Sequence, residues 1–160
     1  LSKMGLNFFD HIRGMYAGIA ISISEKKIYF FRDPLGEKPL FIHFNGMEIY
    51  AASEISGIVQ NSNSKFSINP IALASYFRFG YIEEPETIYS QIFSLDRGTV
   101  SEWDSNALSF KRVKIIDPHE YEEKNWDLDR VLNTVIEEQV YYEGSAAIRS
   151  EEHTSELQSH

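Results

Sequence analysis

The chain has 160 residues, 42% hydrophobic and 14% aromatic, which suits one globular domain with a real core and excludes a disordered chain. A formal charge of −9 argues against a nucleic-acid partner, because binding to a phosphate backbone rests on clustered Lys and Arg. There is no apolar run of membrane-spanning length, no opening signal-peptide pattern and no cysteine, so the expected setting is cytoplasmic, without disulfides or cysteine-based metal sites.

Taken in order, Phe8, Phe9 and Ile12 around Asp10 and His11 predict the end of a helix closing at Gly14, with Asp10 and His11 on a solvated face rather than acting as an acid–base pair. Residues 15–24 alternate strictly, with Ile19, Ile21 and Ile23 on one face and Ala20, Ser22 and Ser24 on the other. That predicts a strand in a sheet packed on both sides, the small residues allowing close approach of a second layer. Ile28–Phe31 and Phe41–Phe44 are the next strands; Asn45-Gly46 then signals a two-residue hairpin into residues 47–52. Four consecutive antiparallel strands are expected. His43, set among Phe41, Ile42 and Phe44, reads as a packed, hydrogen-bonded histidine.

Between the second and third strands lies Arg32-Asp33-Pro34-Leu35-Gly36-Glu37-Lys38-Pro39-Leu40, a turn whose backbone is stiffened by two prolines and given left-handed freedom at Gly36. Its four charges, Arg32, Asp33, Glu37 and Lys38, either pair with one another in a structural loop or support a functional site. Further on, Ser53 is placed to cap a short helix through Ile55, Ile58 and Val59, with Glu54 near its positive end. The alternative brings Ser53 and Glu54 to the charged turn. A polar loop over 60–67 precedes Asn69-Pro70, which starts a helix that stops at Gly80. The aromatic cluster Tyr76, Phe77, Phe79 and Tyr81 reads as core rather than a stacking platform. Short strands are predicted over 88–93, 99–103 and 108–113, a linker over 117–124, and a new amphipathic helix carrying Leu128, Val131, Leu132, Val135, Ile136 and Val140. From Arg149 the chain reads as a non-native, adapter-like tail, excluded from the fold.

Four strings occur in a set order: Gly14-Met15-Tyr16-Ala17, the Arg-Asp-x-x-Gly-x-Lys-Pro-Leu turn with Ala51-Ala52-Ser53-Glu54-Ile55 behind it, Pro85-x-Thr87-Ile88-Tyr89, and Leu95-x-x-Gly98. Together they resemble the glutaminase domain of class II glutamine amidotransferases, most of all the glutamine-hydrolysing asparagine synthetases. The resemblance runs from about Phe8 to Ile148, with Arg97-Gly98 where the family often has Pro-Gly.

The resemblance implies an α+β fold, the second half of an N-terminal nucleophile hydrolase αββα sandwich followed by the first helix of an ATP pyrophosphatase-type synthetase domain. The expected divisions are 1–116 partial glutaminase, 117–124 linker, 125–148 start of the synthetase domain and 149–160 tail. It further implies a parent protein in which an N-terminal cysteine hydrolyses glutamine and ATP with Mg²⁺ activates aspartate for amidation. Glutamine and aspartate would be that parent's substrates, a homodimer is left open, and neither nucleic acid nor membrane is a partner. The chain holds no cysteine, no match to the family's glutamine-holding Arg and Asn-Gly-Glu strings, and no Ser-Gly-Gly-x-Asp-Ser loop. The expectation is therefore an inactive piece with no catalytic, cofactor-binding or metal residues. Arg32, Asp33, Gly36, Lys38, Pro39, Ser53 and Glu54 are its architectural motif positions. Another class II amidotransferase, acting on a phosphoribosyl or sugar-phosphate acceptor, and a cysteine-free binding module are the alternatives.

Overall fold

The computed structural model describes residues 5–116 and 127–139, which fall in two compact units divided at Tyr121/Glu122. The first unit opens with a 3-10 helix, Gly5–His11, and contains two antiparallel sheets. One has the order β1-β2-β6-β7, built from Ala17–Ser22, Lys27–Arg32, Thr99–Asp104 and Ser109–Ile115. The other has the order β4-β3-β5, from Ile49–Ala52, Phe41–Phe44 and Ile92–Ser94. Between them in sequence lie α1, Ile55–Asn61, packed along β3 and β4 with Ile58 buried, and α2, Pro70–Phe79.

Alternation along β2 divides its side chains between two cores. Phe30, with Trp103 of β6, meets Leu40, Ile42 and Leu95 to form the layer shared by the two sheets. Tyr29, with Val100, packs on the other face beneath Phe9 of the 3-10 helix, joined by Ile116 and flanked by Leu6 and Ile12. The four-stranded sheet is thus packed on both sides, as the small face of the first strand predicts. Phe93 of β5 reaches Phe110 of β7, with ring centroids 5.6 Å apart.

Several expectations need correction. The four early strands do not form one meander: β1 pairs with β2, but the free side of β2 is taken by β6, and β3 pairs with β4 and β5 in the second sheet. The first strand is shorter than 15–24, because the chain turns from Ile23, with Lys26 N–H donating to the Ile23 carbonyl. Ile19 and Ile21 of the edge strand β1 and Ile23 just beyond it are 47%, 68% and 87% exposed, no described element being packed over them. The opening helix is a 3-10 helix ending at His11, before Gly14; Asp10 and His11 are both exposed, as expected, with Asp10 Oδ2 2.9 Å from Lys114 Nζ. The Asn45-Gly46 hairpin forms, but Asn45 Oδ1 accepts from the amides of Met47 and Glu48 and widens the loop to residues 45–48. The strand expected over 88–93 is confined to β5, preceded by an isolated bridge between Ile68 and Tyr89.

At α1 the cap position is Glu54, not Ser53, and its side chain makes no capping hydrogen bond. For α2 the sequence reading holds: Asn69 Oδ1 accepts from the amides of Ile71 and Ala72, Pro70 is the first helical residue and Gly80 closes the helix. Its aromatic cluster, however, is not core; Tyr76, Phe77, Phe79 and Tyr81 are all exposed, and Ala72 is the helix's buried residue. His43 is buried as expected, its Nδ1 2.8 Å from the Gln91 carbonyl and its Nε2 2.8 Å from Ser64 Oγ.

In the second unit, α3 spans Leu128–Gln139 and carries Leu128, Val131, Leu132, Val135 and Ile136 at the predicted spacing. The linker 117–124, Val140 and the tail 149–160 lie outside the described residues.

Candidate functional site

The two buried charges of the 32–40 turn sit where β2 hands the chain from one sheet to the other. Arg32 is 5% exposed and Asp33 1%. A charge that deeply buried needs polar partners on every side, and both have them.

Asp33 organises the turn through backbone amides. Its Oδ1 accepts from Leu35 N–H at 3.1 Å and Glu37 N–H at 3.0 Å, and its Oδ2 from Lys38 N–H at 3.1 Å and Tyr16 N–H at 3.4 Å. Its own amide donates to the Tyr16 carbonyl at 2.8 Å, and its carbonyl accepts from Gly36 at 3.0 Å and Gly98 at 2.9 Å. Burial pushes the Asp33 carboxyl up, but the amides of Glu37, Lys38, Tyr16 and Gly36 together hold it below its ordinary value. The turn does not reverse into a hairpin because this carboxylate curls residues 35–38 around itself and sends Leu40 towards the second sheet.

Arg32 closes the other side. Its Nε donates to the Lys38 carbonyl at 2.8 Å and its Nη2 to the Gly36 carbonyl at 2.7 Å. Its Nη1 reaches the Leu95 carbonyl at 2.9 Å, Ser94 Oγ at 2.9 Å and Glu84 Oε1 at 2.8 Å. A guanidinium offers N–H donors in a fixed planar fork, and here Nε, Nη1 and Nη2 all reach acceptors, in the turn, at the end of β5 and on Glu84. Gly36 is required at this spot: its φ is +71°, and a Cβ would lie 3.1 Å from Arg32 Nη2.

Neither charge pairs with the other charges of the turn, so that bland reading is replaced by one in which both satisfy backbone groups and Glu84. Four of the seven predicted motif positions are therefore brought together: Arg32, Asp33, Gly36 and Lys38, the last through its main chain. Pro39 lies within the same turn. Ser53 and Glu54 are exposed at the start of α1; Glu54 accepts from Ser56 Oγ at 3.1 Å, and no hydrogen bond or ion pair joins either residue to the turn. The contributions of Glu84 and Ser94 are missed by the sequence reading. Glu84 stands beside Glu83 before Pro85, and nothing in that string says which acid turns inward.

Nε, Nη1 and Nη2 of Arg32 each donate to groups of the fold itself, and the Asp33 carboxylate accepts from four backbone amides, so both side chains are held by structural partners. The geometry is that of a joint that fixes the crossover between two sheets. Among the described residues no group of His, Asp and Glu is arranged to hold a metal ion.

A family model described as a glutamine amidotransferase domain matches residues 1–114. The chain belongs to that family. The amidotransferase match takes in both sheets, the Arg32–Asp33 joint, α1 and α2. Among curated proteins, a putative glutamine-hydrolyzing asparagine synthetase 2 of Methanocaldococcus jannaschii is 34% identical over 97 residues, 59% of this chain and 19% of that protein. Glutamine-hydrolyzing asparagine synthetase 1 of Bacillus subtilis is 30% identical over 88 residues, 55% of this chain and 14% of that protein. A putative glutamine-hydrolyzing asparagine synthetase of Mycobacterium tuberculosis is 30% identical over 97 residues, 59% of this chain and 15% of that protein. The amidotransferase chain thus spans less than a fifth of the length of these relatives.

Proposed function

We propose that this amidotransferase chain serves glutamine hydrolysis within a longer glutamine-hydrolysing asparagine synthetase. The supporting observation is the Arg32–Asp33 joint: the turn that carries the chain from the four-stranded to the three-stranded sheet is also the string that resembles the synthetase family. In this reading the sheets are part of an N-terminal nucleophile hydrolase sandwich, and α3, with its apolar stripe, opens the ATP-using domain. The longer protein would take ammonia from glutamine and transfer it to an aspartate carboxylate activated by ATP and Mg²⁺, in the cytoplasm; no residue of this chain is assigned to the nucleotide or the metal.

The chemistry of the first half-reaction needs a nucleophile that forms a thioester with glutamine, and the 160 residues contain no cysteine. The expected result is that the purified chain releases no glutamate from glutamine. Expressed from its whole natural reading frame in an asparagine-requiring strain, the gene is expected to restore growth without asparagine. Glutamate release by the 160-residue chain alone would overturn the first part, and failure of a well-expressed full-length product to complement would overturn the second.

A further inference from the structure

The hydrogen bonds that satisfy His43 also fix which of its nitrogens carries the proton. The Gln91 carbonyl, 2.8 Å from Nδ1, can only accept, so Nδ1 is the donor. In the uncharged ring Nε2 keeps its lone pair, and the Ser64 hydroxyl 2.8 Å away donates to it. A hydroxyl donating to an imidazole whose far nitrogen is oriented by a third group is the arrangement that activates a nucleophilic serine.

Both partners are held in place. The His43 ring is buried, stacks on Tyr50 with centroids 6.0 Å apart and meets Phe66 edge-on at 4.9 Å. The Ser64 amide donates to Ser62 Oγ at 3.1 Å. Gln91, whose carbonyl orients the ring, also ties down the loop: its Oε1 accepts from Ser67 N–H at 2.9 Å and its Nε2 donates to Ser67 Oγ at 2.8 Å. Ser64 itself is partly exposed, which leaves it open to a small molecule from solvent.

We propose that Ser64 is a reactive serine, with His43 as its base, which takes an acyl group from small activated esters. Ser64 Oγ attacks the ester carbonyl carbon as its proton passes to His43 Nε2. The bond from that carbon to the leaving oxygen then breaks, and the leaving oxygen departs with the bonding pair and takes up the proton from Nε2. The products are an ester on Ser64 and a free alcohol or phenol. An activated ester is the matching class, because its leaving group departs without the help that an amide needs. The step uses no residue of the Arg32–Asp33 joint and is independent of the glutaminase reading.

Treatment of the 160-residue chain with p-nitrophenyl acetate, read by peptide mass mapping, tests it. Acetylation of Ser64 is expected to run about tenfold or more faster than that of Ser67, an exposed serine of the same loop whose hydroxyl is bonded to Gln91. His43→Gln is expected to bring the two rates together. Equal rates in the parent chain, or a Ser64 rate indifferent to His43→Gln, overturns the proposal. Should His43→Gln fail to fold, thiols replace it, the chain having none of its own. Ser64→Cys is expected to react with iodoacetamide about tenfold or more faster than Ser67→Cys, the imidazole drawing off its proton. Equal thiol rates would remove His43 as the base.

Discussion

Replacing Arg32 with alanine is expected to cost about 3–5 kcal/mol, a large part of the stability of a domain this size. The loss leaves the carbonyls of Gly36, Lys38 and Leu95 and the hydroxyl of Ser94 without their donor, all around a site from which water is nearly excluded. Arg32→Lys keeps the charge but not the fork; a single ammonium cannot face the turn, β5 and Glu84 together, so about 2 kcal/mol or more is expected to be lost. Glu84→Gln should cost about 1 kcal/mol at most, because its side chain is 42% exposed and the carboxylate is partly solvated. Urea denaturation followed by circular dichroism gives all three. The joint would be refuted by an Arg32→Lys protein as stable as its parent.

The second large effect is at Asp33. Asp33→Ala strips the acceptor from four amides and is expected to destabilise by about 2–4 kcal/mol. Asp33→Asn keeps one acceptor oxygen, turns an amino group towards amides that need an acceptor, and should cost about 1–3 kcal/mol near neutral pH. The pH dependence carries the sign. The folded-state value of the Asp33 carboxyl is lowered from 3.8, so its contribution is complete above the unfolded value and is lost as the pH falls through the lower folded one. The parent chain should therefore lose stability below about pH 4 more steeply than Asp33→Asn. Asp104, lowered by the amides of Ala107 and Asn106, acts in the same direction in both proteins and cancels in the difference. Parallel acid-unfolding slopes for the two proteins would remove Asp33 from this role.

What the sequence discloses here is mostly local. The alternation over 15–24, the short strand expected over 99–103, the Asn69-Pro70 start of α2 and the hairpin at Asn45 each depend on a few neighbouring residues, and each element forms there, the first strand shortened to 17–22 and the second extended to 104. Strand pairing is not local: β2 and β3 look like hairpin partners until the Asp33 carboxylate is seen gathering the amides between them. The stiffness of the turn is legible from Pro34, Gly36 and Pro39, but the partner of Arg32 is not, since Glu84 stands 52 positions away in an unremarkable acidic pair. Residue type also says nothing about what lies opposite. Phe77 and Ile21 are as apolar as Phe30 and Ile42, yet the first two are exposed because no described element is packed over them.

The contrast between α2 and the 33–38 turn inverts the usual association of regular structure with rigidity. α2 is a helix of ten residues anchored by its Asn69 cap and nearly bare along its length, so its backbone can open without disturbing either core. The turn has no ladder, but the amides of Leu35, Glu37 and Lys38 end on a carboxylate buried at the meeting of two sheets. Freeing them requires the sheets themselves to part. Amide hydrogen exchange is therefore expected to follow depth here and not helix or strand: the amides of Leu35, Glu37 and Lys38 are expected to exchange more slowly than those along α2.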